Sequence, residues 1–138
     1  MDISATVETI RRAKSAHIRW RTFAQALVGG VAVGDDQVPL SHHDCTFGKW
    51  YYGDGQKLAH LPSFKSIETT HQQLHDTYSI IFGYLFGNQR NLWAKLFGTK
   101  ASTINRQKAE AELDKLNEIS TQLLSLLDQL ESEVKQQG

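Results

Sequence analysis

His71-Gln72-Gln73-Leu74-His75 is the stretch from which the rest of this sequence is best read. An α-helix turns once every 3.6 residues, so side chains four apart share a face and both imidazoles reach toward a single metal ion. The neighbouring residues specify that helix. Phe64, Ile67, His71, Leu74, Tyr78, Ile81 and Leu85 recur at alternating steps of three and four, a core-facing stripe. His71 occupies a position in the stripe where an apolar residue belongs, and His75 flanks it one turn on. An HxxxH pair by itself is more often surface or structural histidine than a ligand pair; further ligands at the same depth are what change that weighting. Metalloproteases place a glutamate general base directly after the first histidine. Gln72 stands there and takes up no proton at neutral pH, which excludes that hydrolytic chemistry.

Upstream, Pro62 sets the entry to this helix and Ser63 is placed to accept from its first free amides; the pattern continues to about Gly87. A first helix is predicted from about Ile3 to Val28, with Ile3, Thr6, Ile10, Ala13, His17, Trp20, Ala24 and Leu27 inward. Arg11, Arg12, Lys14, Arg19 and Arg21 fall on its outer faces, and Gly29-Gly30 ends it. His17 therefore lies on an apolar stripe, as His71 does on its own helix. A loop from Val31 to Ser41 leads to a short helix holding Cys45, Phe47, Gly48, Trp50, Tyr51 and Tyr52, with Ser41 or Asp44 as its cap. Gly48, one turn after Cys45, leaves room for another backbone. At about three turns this helix is marginal alone, so a bond from the sulfur to a metal, helped by Phe47 and Trp50, is its expected tether. His42 and His43 compete with Cys45 as ligands, but as adjacent residues at most one faces inward beside it; both are read as solvent-facing or capping.

Gln56 to Leu61 is read as a helical turn. Asn88 to Gly98 offers an amphipathic turn or two through Leu92, Trp93, Leu96 and Phe97. The last helix begins near Ser102 or Thr103 and runs to about Lys135. Leu113, Leu116, Ser120, Leu123, Leu127, Leu130 and Val134 form its seam, and Leu124 and Leu126 widen the apolar face. No β-type alternation is sustained. The fold class is all-α: an antiparallel four-helix bundle with an additional short helix that carries Cys45, in one domain spanning residues 1–138.

Composition excludes several function classes. Fifteen basic residues balance fifteen acidic ones, leaving no electrostatic case for nucleic acid or an anionic membrane surface. No apolar run approaches the roughly 20 residues of a membrane span. The first residues, Met1-Asp2-Ile3-Ser4, have no signal-peptide pattern, so a cytoplasmic location is expected. Cys45 is the single cysteine and has no internal disulfide partner.

Four candidate ligands then remain: His17 on the first helix, Cys45 on the short one, and His71 and His75 on the next. Three imidazoles and a thiolate form a borderline-soft tetrahedral set suited to Zn²⁺. Four protein ligands fill the coordination sphere, which favours a structural or sensing site over a catalytic one. The alternatives are a zinc hydrolase with Cys45 displaced or acting as nucleophile, and a di-iron or oxygen-binding bundle. The first lacks a general base, Glu68 being the one carboxylate a turn before His71. The second needs inward carboxylates, whereas Glu8, Glu68, Asp76 and Glu110 fall mostly outward.

His17-Ile18-Arg19-Trp20, Ser41 through Gly53 (SHHDCTFGKWYYG), His60-Leu61-Pro62-Ser63-Phe64 and the His71–His75 segment together resemble the chemoreceptor zinc-binding (CZB) domain family. The resemblance covers roughly Arg12 to Tyr78. It implies a cytoplasmic bacterial helical bundle, usually a homodimer, that binds zinc through three His and one Cys and is attached to chemoreceptors or diguanylate cyclases. By that resemblance His17, Cys45, His71 and His75 take the ligand roles in a non-enzymatic sensor, with zinc levels or oxidants such as hypochlorous acid as the signal. Two departures are visible. Gly87 to Ala101 is longer than the connection expected there, and no signalling hairpin or cyclase domain fits within the 138 residues.

Overall fold

The structure, a computed structural model, describes residues 2–30, 41–86 and 103–137. Within them the chain is all-α. Helix α1 spans Ile3–Val28, α2 Thr46–Tyr52, α3 Pro62–Phe86 and α4 Thr103–Lys135, with a 3₁₀ turn at Asp54–Leu58 between α2 and α3. The expected loop from Val31 to Ser41 lies outside the described residues except for Ser41 itself; the amphipathic segment at Asn88–Gly98 and the long connection at Gly87–Ala101 lie wholly outside them.

The three long helices form where the apolar periodicity places them. Every member of the α3 stripe from Phe64 to Leu85 is buried, and so are Leu116, Ser120, Leu123, Leu127, Leu130 and Val134 of α4. Each fully buried Leu or Ile contributes about 1.5–3 kcal/mol relative to exposure, so these helices hold together through their own cores. On α1, Val7 faces the core in place of Thr6, whose hydroxyl bonds back to the Asp2 carbonyl at 2.8 Å. Asp2 caps α1 by accepting from the Ala5 amide at 3.1 Å. Gly29 closes the helix, and Gly30 follows at φ 91°, a conformation that favours glycine.

Polar contacts fix the register of the long helices. Lys14 pairs with Asp128 at 2.7 Å and Glu131 at 3.1 Å, Arg11 with Glu131 at 3.1 Å, and Arg21 donates to Asn117 at 3.0 Å. Arg106 donates to the Val28 carbonyl at the far end. Residue numbers rise along α1 as they fall along α4, so the two run antiparallel. On the other side, Glu133 takes the Ser63 amide at 3.1 Å and its hydroxyl at 2.6 Å, while Lys108 lies over the Tyr84 ring. Helix α4 is therefore antiparallel to α3 as well. The Ser63 hydroxyl donates to Glu133 instead of accepting from the first amides of α3: a carboxylate from the neighbouring helix is better placed to satisfy those donors and the positive helix end.

Cys45, and neither Ser41 nor Asp44, caps α2. Its sulfur accepts from the Gly48 amide at 3.2 Å. The cysteine thus precedes a helix of two turns instead of lying within one of three. Ser41 instead takes the His43 amide at 3.2 Å in the preceding turn. Gly48 is required here, because a Cβ on it would stand 1.8 Å from the His42 carbonyl oxygen.

Glu131 collects Lys135, Arg11 and Lys14. Burial alone would raise its pKa, but the hydrogen bonds from those three cations outweigh that and hold it at about 2, against an ordinary 4.5. A depressed carboxylate contributes stability above its unfolded pKa and loses it as pH falls toward the folded one. Glu131→Gln is expected to lower stability at pH 7 by on the order of 1 kcal/mol, typical of a networked pair near the surface. The gap from wild type in urea midpoint should narrow as pH falls from about 4.5 toward 2; a gap independent of pH would show that the charge plays no part.

Candidate metal centre

His17, His71 and His75 bring one ring nitrogen each to within 4.8 Å of one another, and all three side chains are only 1 % exposed. Helix α1 supplies the first; one face of α3 supplies the other two. The Nε2 atoms of His71 and His75 are 3.1 Å apart, and the sulfur of Cys45, likewise 1 % exposed, lies 3.3 Å from His71 Nε2. In a tetrahedral zinc site, bonds of 2.0–2.1 Å to nitrogen and 2.3 Å to sulfur give ligand–ligand edges of about 3.3–3.6 Å. The three imidazoles converge, with the His71–His75 pair near such an edge, and the Cys45 sulfur meets the group at His71.

The tautomer of His17 is fixed by its own helix. The Ala13 carbonyl is an acceptor 2.6 Å from His17 Nδ1, so that nitrogen carries the hydrogen and donates it. Nε2 is left with its lone pair, buried and without a hydrogen-bond partner among the described residues. An unsatisfied buried polar atom costs about 1–3 kcal/mol, and a ligated cation is one standard way to satisfy it. Burial also keeps the rings neutral: it pushes His17 down to about 3 and His71 to about 2, the latter helped by repulsion from the neighbouring imidazoles. Neutral imidazole is the ligating form. Burial pushes the Cys45 thiol up, partly offset by the Gly48 amide; a divalent cation beside the sulfur would reverse that balance and favour thiolate.

Aromatic rings wall the cluster. Trp20 stands edge-on to His17 at 4.4 Å and to His75 at 5.4 Å between centroids, and Phe47 meets His17 at 5.8 Å and His71 at 5.1 Å. The cavity touching His17 and His75 is about 10 Å³, bounded also by Trp20, Leu74, Tyr78 and Leu116, which holds one water at most. A larger groove of about 660 Å³ runs between α1 and α2, but Trp20 and Phe47 stand between it and the imidazoles.

Two sequence expectations change in detail. Tyr51 is a core residue: it donates to the Phe64 carbonyl at 2.6 Å and stacks on the Phe64 ring at 4.1 Å. It therefore tethers the end of α2 independently of Cys45. His42 is only half-buried, in keeping with an outward role, yet its ring lies 5.8 Å from that of His71 and its Nε2 is 3.1 Å from the Tyr52 hydroxyl. The adjacency of His42 to Cys45 was legible in sequence; its approach to His71 was not, because it depends on how the turn before α2 folds over α3.

Residues 17–82 match the model of the chemoreceptor zinc-binding domain family. This stretch belongs to that family. No curated protein and no solved structure matches the chain. The CZB match begins at His17 and includes Cys45, His71 and His75, so the family segment and the buried donor cluster coincide. Helix α4, which covers the cluster through Leu116, lies beyond the match.

Proposed function

We propose that this CZB domain binds one Zn²⁺ through His17, Cys45, His71 and His75, and that the chain, as a single cytoplasmic domain of residues 1–138, acts as a non-catalytic sensory or regulatory module. The observation that carries the reading is the buried His17 Nε2, held as a lone-pair donor by Ala13 and without a hydrogen-bond partner, beside two further imidazoles and a thiol. Three nitrogens and one sulfur suit Zn²⁺ better than harder divalent ions, and four protein ligands leave no open position for substrate water. The water-sized cavity supports the same conclusion against a hydrolase. A di-iron site would need inward carboxylates, whereas Glu8, Asp76 and Glu110 are exposed and Glu68 is half-exposed.

Signalling then acts on the segment that carries Cys45. Loss of the ion, or oxidation of the thiolate to sulfenic acid, removes one corner of the site. The turn before α2 is freed, while α1, α3 and α4 keep their own cores. The output is a chemoreceptor or diguanylate cyclase, in the same chain or a partner. No described helix is long and apolar enough to cross a membrane. The module pairs with a second copy: the groove between α1 and α2 sets Trp20, Phe47 and Trp50 among Glu8, Arg11, Arg12 and Arg19, and Ile18 on α1 is 51 % exposed.

Purified protein should contain one zinc per chain by elemental analysis, and alanine at any of the four ligands should weaken binding by orders of magnitude in a chelator competition. Full affinity in Cys45→Ala would remove the sulfur from the site. Zinc removal should leave helical circular dichroism largely intact and raise amide exchange between about residues 41 and 48, less so near Tyr51; uniform loss of protection in α1 and α3 would make the ion a folding staple instead of a switch. Light scattering at high micromolar concentration should give a dimer mass, and a strictly monomeric mass contradicts the pairing.

A further inference from the structure

The donors of the metal centre are closed off from solvent. Each of the four side chains is 1 % exposed, and the cavity adjoining His17 and His75 is about 10 Å³. A bound ion still has to enter and leave. Zinc can expand to five-coordinate, so an incoming donor can bind before another leaves. Which donor comes in first is decided by what lies within reach.

Among the described residues, His42 is the further histidine whose ring touches the cluster. Its centroid is 5.8 Å from that of His71, and its carbonyl lies 3.6 Å from the Cys45 sulfur. Exposure is graded along this route. His43 is exposed and packs on His42 at 4.1 Å, His42 is half-buried, and Cys45 and His71 are buried. His42 also has a resting place, its Nε2 lying 3.1 Å from the Tyr52 hydroxyl. Glu68 and Asp76 are near enough to act on its ring, against the larger effects of burial and of His43. His60, in contrast, faces Gln137 at the far end of α4.

We propose that His42 is the exchange ligand of the metal centre, an imidazole that takes the ion transiently between solvent and the buried Cys45–His71 edge. This rests on the zinc site proposed above. In loading, His42 gives up its contact with Tyr52 and binds the hydrated ion in place of a water. It then yields the ion as His71 and the Cys45 thiolate close on it, the thiol proton passing to solvent. Release runs the same steps backward. His42 belongs to neither resting state, so it governs the rate of transfer and leaves the equilibrium affinity nearly unchanged.

Stopped-flow mixing of the full chain with Zn²⁺, and of the zinc-loaded chain with excess chromophoric chelator, measures loading and release. His42→Gln should slow both by the same factor, with the dissociation constant unchanged. Tyr52→Phe, which frees His42 from its resting contact, should leave both rates equal to wild type or faster. Unchanged or faster exchange in His42→Gln overturns the relay, as does an equal slowing in Tyr52→Phe, which would trace the effect to packing. A change in affinity carried by release alone makes His42 a resting ligand and also overturns it. Wild-type protein that takes up no zinc overturns the site itself, a failure distinct from all of these.

Discussion

The structure turns on the burial of three imidazoles against one thiol. Imidazole is amphipathic, and placing it in a core is tolerable when each ring nitrogen has a partner. His17 meets that condition at Nδ1 through Ala13 and fails it at Nε2. His71 and His75 face each other nitrogen to nitrogen at 3.1 Å, a contact satisfied either by the N–H of one neutral ring donating to the lone pair of the other or by a cation between them. A second, charging proton on His17 or His71 is opposed by the burial that drives their pKa values far below the usual imidazole range. A shared cation would give the lone pair of His17 Nε2 a partner.

The scaffold around the cluster divides into a part with an extensive core of its own and a part with a smaller one. Helices α1, α3 and α4 present continuous buried faces and are locked in register by Lys14, Arg21, Glu131 and Glu133. The turn and two-turn helix from Ser41 to Tyr52 have far less to hold them. Phe47 and Tyr51 dock its helical portion, while Cys45 sits at the hinge between the turn and the helix. Because its sulfur serves as the N-cap of α2, any change at sulfur bears on the start of that helix directly. Gly48 shows how tightly the turn is folded, since no side chain fits between it and the His42 carbonyl. Such a segment combines a firm resting geometry with a low cost of release, which suits a chemical switch.

Much of this was legible in the sequence, for a definite physical reason. Helical periodicity is a local property, and a stripe broken by a histidine, as at His17 and His71, announces both the helix and its anomaly. The ends of α1, α3 and α4 followed from Gly29-Gly30, Pro62 and Thr103, and the ligand candidates from their residue types and spacing. What depends on contacts between elements was decided in three dimensions. The cap of α3 comes from Glu133, seventy residues away, and Tyr51 became core because its hydroxyl finds the Phe64 carbonyl. Cys45 became a cap instead of a helical residue, and His42 came to lie against His71, because the turn before α2 folds over α3 at a glycine. Residue identity and period determine which face of each helix is buried; only packing determines which buried faces meet.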